Sequence, residues 1–298
     1  MERTKKQNLT ITAHCLVKNE ARFVWYAVMS VINHVDKILL WDTGSSDGTV
    51  QIANEIKKVG KGKVSFREYG SINAQNFMKA RQEMLDETDT DWFIVVDGDE
   101  VWWEDSIKQV VQVITSSAHS TSSGQASKAG NLESIVVPTI NLVGDIYHYQ
   151  EEAAGGYHLA GRTGHLNLRA INKRITGLHS YGPHGQWGWV DGENKMIQYR
   201  NQSKIHFIDA PYLHATHLVR ASTLKLEENV QKRKLKRKYE LGIPFPPDFY
   251  YPEVFFRSRP EIVPSIWERM NRLFYSRALI ETPLRKLKRK VMPKRIGY

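Results

Sequence analysis

The run Trp92-Phe93-Ile94-Val95-Val96-Asp97-Gly98-Asp99-Glu100 closes five consecutive apolar residues with three carboxylates around one glycine. A buried strand holds no such charge without partners, so the apolar run reads as a strand and the acids as its carboxyl end. In open α/β sheets that edge is where ligands collect. Two carboxylates flanking a glycine there suit a divalent cation whose remaining positions stay open to water and to the oxygens of a diphosphate. An isolated Asp-Gly-Asp would equally read as a solvated acidic turn; the segments around it argue against that.

Upstream, Thr10 to Val17 (TITAHCLV) reads as a first strand, and Phe23, Val24, Ala27, Val28 and Val31 recur at helical spacing over Glu20 to Ile32. Lys37 to Trp41 is a second strand ending in Asp42. Thr43 to Thr49 (TGSSDGT) is loop chemistry, with Ser46 or Asp47 placed to cap a helix over Val50 to Val59. Val64 to Glu68 supplies a third strand and Ala74 to Leu85 another helix before the acidic strand. This alternation predicts an α/β fold, a Rossmann-like and mostly parallel sheet with helices on both faces. Beyond it lie a helix near Asp105 to Ile114, a flexible Ser-rich loop over 116–131, and strand-like Ser134 to Asn141. Gly144 to Gly192, rich in Gly, His, Tyr and Trp, has no clear period and suits a binding surface.

The chain has 298 residues, 41% hydrophobic and 25% charged, which allows a substantial core and excludes global disorder. Cys15 is the single cysteine, so there is no disulfide framework and no cysteine zinc cluster, and a reducing compartment fits. No apolar run approaches the roughly 18 residues of a membrane span. The basic amino terminus lacks the apolar stretch of a signal peptide, and a cytoplasmic location is expected. The net charge of +10 is concentrated late, since residues 221–298 hold 19 Lys and Arg against 8 Asp and Glu. A catalytic domain over 1–220 and a basic helical C-terminal extension over 221–298 follow, with helices at about Leu224 to Tyr239 and Ser265 to Ile280.

Three stretches in order, Leu16-Val17-Lys18-Asn19-Glu20, Trp41 to Thr49, and Val96-Asp97-Gly98-Asp99-Glu100, resemble the family two glycosyltransferases of the GT-A fold. The resemblance covers the chain to about Glu104. It implies that Asp42 accepts a hydrogen bond from the base of a donor nucleotide. An ionised carboxylate is acceptor-only and suits the N–H of a uracil or thymine ring; an Asx-turn is the structural alternative. Asp97 matches the family residue near ribose and metal, and Asp99 the direct ligand of Mg²⁺ or Mn²⁺. Asn19 and Glu20 shape the nucleotide pocket or cap the following helix. Arg81 sits on a helix whose family counterpart faces the nucleotide, although an exposed helical arginine reads the same way. Tyr212 to Arg220 resembles a late segment in which a histidine completes the metal shell, here His217 ahead of His214. Two histidines three apart also suit a zinc site with a third ligand.

An inverting transfer needs a group that takes the acceptor hydroxyl's proton. Asp191, Glu193 and His179 are the candidates, with His184 beside them; Asp191-Gly192 is also a hairpin-turn signal, and the family's paired acidic motif is not matched. The activity implied is transfer from a nucleoside diphosphate sugar, UDP favoured, to a carbohydrate or lipid-linked acceptor in surface polysaccharide or glycolipid assembly. The rivals are a non-catalytic scaffold that binds nucleotide sugar, and a sugar nucleotidyltransferase. The latter would carry a Gly-rich loop with a basic residue where this chain has Lys18-Asn19-Glu20.

In the extension, Ile266 to Phe274, the aromatics Phe249 to Tyr251 and Phe255-Phe256, and the cluster Arg285 to Lys290 suit an anionic membrane surface. A peripheral position on the cytoplasmic face follows. A helix packed on the catalytic domain is the other reading. No nucleic-acid recognition motif is present, and nucleic acid is not expected as a partner.

Overall fold

Strand and helix alternate as the apolar runs require: β1 (Ile11–Val17), α1 (Val24–Val31), β2 (Lys37–Asp42), α2 (Thr49–Val59), β3 (Val64–Glu68), α3 (Phe77–Asp86), β4 (Trp92–Val95), β5 (Glu100–Trp102) and α4 (Glu104–Ser117). The computed structural model describes residues 9–73, 75–117, 132–183, 187–228, 230 and 233–291. The four leading strands lie parallel in the order β3-β2-β1-β4. Every residue of β1 is buried, as a central strand covered on both faces must be. Ala13, Cys15 and Val17 face the layer of α1 and α2, while Leu16, Leu39 and Trp41 pack on Ala80 and Met84 of α3. Edge strand β3 carries exposed Ser65, Arg67 and Glu68, polar residues that discourage pairing with another chain.

The second half adds β6 (Ser134–Val143), β7 (Asp145–Tyr149), the hairpin β8 (Tyr157–Leu159) and β9 (Arg162–Gly164), β10 (Leu166–Asn172), the hairpin β11 (His179–Tyr181) and β12 (Gly188–Val190), β13 (Ile205–Phe207) and β14 (Tyr212–His214). Here β10 joins β4 antiparallel and β6 joins β10 antiparallel, so the sheet is parallel in its first half and mixed overall. β14 lies parallel to β6 and antiparallel to β5, which brings Tyr212 to His214 alongside Glu100 to Trp102.

The extension holds α5 (Leu224–Glu228), α6 (Arg233–Lys236), β15 (Ile243–Pro244) and α7 (Arg272–Val291). Two expectations are corrected there. The single helix over 224–239 is two short ones, with Val230 and residues 237–239 outside helix. The helix over 265–280 starts only at Arg272: before it Ile266 is drawn into the core and the Met270 N–H goes to Asp145 Oδ2 at 2.9 Å rather than to a helical carbonyl, and Asn271 caps α7 by accepting the Phe274 N–H at 2.8 Å. The face expected to meet a membrane over Ile266 to Phe274 is also divided, with Leu273 exposed and both ends turned inward. Ile266 and Phe274 are buried, and Val254, Phe255, Val263 and Ile266 belong to the same core cluster as β1 and α1. Of the Ser-rich loop, 118–131 lie outside the described residues, as does His184.

Candidate active site

Because β2, β1 and β4 are parallel neighbours, their carboxyl ends reach one edge of the sheet. Val17 stands beside Asp42 in register, and Asp97 lies two residues past the end of β4. Asp42 is 2% exposed. Its Oδ2 accepts the backbone N–H groups of Gly44 and Ser45, each at 2.9 Å, an Asx-turn that Gly44 completes at φ +84°. Its Oδ1 is buried with no partner in the protein. The adjoining loop is locked by Asn19, whose N–H donates to Ser45 Oγ at 2.7 Å and whose Oδ1 accepts the Ser46 N–H at 2.8 Å. Asp47 accepts the Thr49 N–H at 2.9 Å, at the start of α2. Gly98 is required by close approach, since a Cβ there would lie 2.8 Å from Val17 Cγ1 and 2.9 Å from Glu20 Cγ.

Four arginines from distant parts of the chain answer the acids. Arg81 of α3 bonds Asp97 Oδ1 at 2.8 Å. Arg169 of β10 bonds Glu100 and lies 3.6 Å from Asp97 Oδ2. Arg220 bonds Asp99 and reaches Glu20 Oε1 at 3.2 Å. Arg233 bonds Glu20 and donates to the carbonyls of Lys18 at 2.9 Å and Asn19 at 2.6 Å. Glu100 also accepts from the Tyr212 hydroxyl at 2.8 Å and, through Oε2, from the Asp97 N–H at 3.1 Å. Glu227 accepts the N–H groups of Arg220 and Ala221, so α5 is tied to the same network.

Burial acts against all of these carboxylates, and their partners decide the outcome. Desolvation pushes Glu20 and Glu100 up to about 8 despite their arginines, with neighbouring carboxylates adding to the rise. At Asp99 burial is outweighed by Arg220 and His214, which hold it well below the usual carboxylate range; Arg169 and Arg81 likewise outweigh burial at Asp97.

His214, rather than His217, stands at Asp99, with Nε2 3.4 Å from Oδ2. Its Nδ1 faces Asn141 Oδ1 at 3.2 Å, and Asn141 in turn meets His165 Nδ1 at 2.9 Å. His217 directs Nδ1 to the Lys236 carbonyl at 2.7 Å and leaves Nε2 buried without a partner. Asp191 holds the turn after β12: Oδ1 accepts from Glu193 and Lys195 N–H at 3.0 and 2.9 Å, and Oδ2 is bonded by Arg200. His179 stands across that turn between the Gly177 carbonyl and Asn194 Oδ1, and Glu193 is exposed on it. Among the described residues no contact joins Asp191, Glu193 or His179 to Asp97 or Asp99.

Arg169, Arg220 and Arg233 carry the network without having been singled out as site residues, and His214, ranked behind His217, joins them. The alternation of β14 was a usable signal, because Tyr212 and His214 must share a face. A charged Arg169 inside the apolar strand LNLRAIN was another, since such a charge demands a partner.

Asp97 and Asp99 offer the hard oxygens that Mg²⁺ or Mn²⁺ take, and Asp97, with its side chain 36% exposed, is the accessible one. No group of three or more His, Cys, Asp and Glu forms a metal cage among the described residues. Asp99 is 2% exposed and its Oδ2 is held by Arg220, so the two carboxylates differ in access.

The buried Asp42 carboxylate and the acidic pair two strands away thus share the carboxyl-end edge of the sheet, where open α/β folds bind their ligands. The family model described as Glycosyl transferase family 2 matches residues 15–175, and the chain belongs to that family, hence to the glycosyltransferases as an enzyme class. No curated protein sequence matches it. Among solved structures, TarS of S. aureus is 13% identical with a TM-score of 0.44, over 70% of this chain and 37% of that one. The mannosyltransferase PcManGT of Pyrobaculum calidifontis, in complex with GDP-Man and Mn²⁺, is 12% identical at 0.37, over 56% of this chain and 45% of that one. Glucosyl-3-phosphoglycerate synthase of Mycobacterium tuberculosis, in complex with Mn²⁺, UDP and glucosyl-3-phosphoglycerate, is 12% identical at 0.40, over 70% of this chain and 73% of that one.

Proposed function

We propose that this chain transfers a sugar, with inversion, from a nucleoside diphosphate sugar, UDP favoured, to a hydroxyl of a carbohydrate or lipid-linked acceptor at the cytoplasmic face of a membrane. The observation that carries the donor half is Asp42 Oδ1, a buried acceptor with no protein partner. An unmatched buried acceptor is costly, and an N–H donor from a pyrimidine base would satisfy it. Strands β2 and β4 are two positions apart, about 10 Å across the sheet, so a base held at Asp42 leaves its diphosphate near Asp97 and Asp99.

In this reading Asp97 and Asp99 hold Mg²⁺ or Mn²⁺, which neutralises the charge that grows on the departing nucleoside diphosphate. Arg81 and Arg169 orient Asp97 and supply further positive charge beside it. Asn19 shapes the nucleotide pocket by fixing the loop that carries Ser45 and Ser46, and Glu20 acts from below by anchoring Arg220 and Arg233. Asp191 maintains its turn, which leaves Glu193 and His179 to take the acceptor proton.

Titration calorimetry of UDP, dTDP and GDP, with and without Mn²⁺, tests this on wild type and Asp42→Asn. Asparagine can keep one oxygen on the Asx-turn but then presents an N–H₂ to the base. Loss of a charged hydrogen bond, about 1.5–3 kcal/mol, predicts binding roughly 10- to 150-fold weaker. Binding of no nucleotide, or equal binding by the variant, would sink the donor site. Metal-dependent binding without transfer to any acceptor would return the scaffold reading.

A further inference from the structure

Helix α7 turns Phe274, Ala278 and Thr282 inward against the fold. On its other side Leu273, Ile280, Leu284, Leu287 and Val291 are 81, 72, 63, 61 and 75% exposed. At 100° per residue these five fall in one line about 60° wide along the helix. Single exposed leucines are ordinary, whereas a continuous apolar line marks a contact surface.

The margins of the line are basic. Arg277 and Lys288 flank it on one side, Arg272 and Lys290 on the other, by the same angular arithmetic. Arg277 and Arg285 are paired with Glu281, and Lys286 and Arg289 with Glu151 and Glu240. Exposed Arg272, Lys288 and Lys290 have no ion pair among the described residues.

We propose that this line is the surface on which the chain lies against an anionic lipid bilayer, with α7 in the interfacial plane. The pattern of charge selects that occupant. A second copy of the chain, packed about a two-fold axis, would bring the basic margins onto themselves. A polyanion such as nucleic acid would match the lysines and leave the leucines in water. An anionic bilayer accepts both, the apolar line entering the acyl boundary while the flanking cations meet the headgroups. No described helix is long and apolar enough to cross a membrane, which agrees with a helix lying in the plane. The inference goes beyond the donor site and stands without it, because vesicle binding requires neither nucleotide nor turnover.

The test is co-sedimentation of the full chain with phosphatidylcholine vesicles, with and without about one third phosphatidylglycerol. Binding is expected only to the anionic vesicles and should fall as salt is raised. One cation near such a surface is worth about fivefold in affinity, so Lys288→Gln with Lys290→Gln should weaken binding about 25-fold. Leu284→Ser with Leu287→Ser should weaken it about tenfold or more. All four side chains are exposed, so the melting temperature should hold and report that the fold is intact. The proposal is overturned if the full chain ignores anionic vesicles, or if the leucine pair binds like wild type. It is equally overturned if light scattering finds a dimer that the leucine pair dissociates.

Discussion

Replacing Arg220 by methionine keeps much of the apolar stem of the side chain and removes its cation. Arg220 is 6% exposed, and Nη1 alone serves both Asp99 and Glu20. Glu20 would retain Arg233. Asp99, 2% exposed, would retain His214 at 3.4 Å as its ion-pair partner among the described residues, with Lys236 acting from farther away. The variant therefore strands one buried carboxylate, and breaking a buried pair from one side costs about 3–5 kcal/mol. At about 2–4 °C per kcal/mol for a domain near this size, the melting temperature should fall by roughly 6–20 °C at neutral pH. The loss should shrink in acid, where Asp99 can take a proton.

A divalent cation supplies a second readout for the same variant. If Asp99 is a metal ligand, Arg220 competes for its Oδ2, and the variant frees that oxygen. At a hundred times its Kd, Mn²⁺ would return about 2.7 kcal/mol to the variant. Wild type should gain less from the same addition. Differential scanning fluorimetry with and without Mn²⁺ measures both effects. A fall of under about 3 °C would refute the stranded-charge argument, and equal Mn²⁺ gains in the two proteins would refute the competition.

Gly98→Ala should destabilise the chain by about 1–3 kcal/mol in denaturant titration, because its Cβ meets Val17 and a Glu20 that Arg220 and Arg233 hold in place; an unchanged midpoint would mean the loop relaxes freely. The buried Glu100, pushed up to about 8 from an ordinary 4.5, binds its proton more tightly folded than unfolded, so its contribution is present below about 4.5 and lost as pH rises through 8. The advantage in melting temperature of wild type over Glu100→Gln should accordingly shrink between pH 5 and 8, and an advantage that grows would show the carboxylate ionised in the fold.

The parallel half of the sheet was legible because each strand is an apolar run and each helix a 3.6-residue period. Once β1, β2 and β4 are parallel, Asp42, Asp97 and Asp99 must share an edge, so their meeting was legible too. The orphaned oxygen of Asp42 was not, since it depends on which of two lone oxygens the Gly44 and Ser45 amides take. The later half was harder for a physical reason. Its strands join antiparallel and pair with segments far away in sequence, as β14 does with β5 and β6, and no local period encodes such pairing. The α7 boundary illustrates the other failure. Hydrophobic spacing continued through Ile266 and Met270, but the core contact of Ile266 and the Asp145 bond to the Met270 N–H come from distant segments, and Asn271 marks the start that the spacing does not show.

The arginines show where local reading ends. Glu20, Asp97, Asp99 and Glu100 are placed at one edge by two strands, so their mutual repulsion follows directly from sequence and topology. Something must balance them, and among the described residues up to 104 Arg81 alone reaches the cluster. Arg169, Arg220 and Arg233 come from β10, from beyond β14 and from α6, which ties the basic second half to the acidic first half electrostatically. An acidic sheet edge thus predicts that cations will be recruited, but not which ones, because a guanidinium on a long stem can arrive from any neighbouring element. Arg220 and a divalent metal answer the same demand at Asp99, so donor binding and the internal ion pairs should be linked, and stability measured with and without Mn²⁺ should report on the site as directly as turnover does.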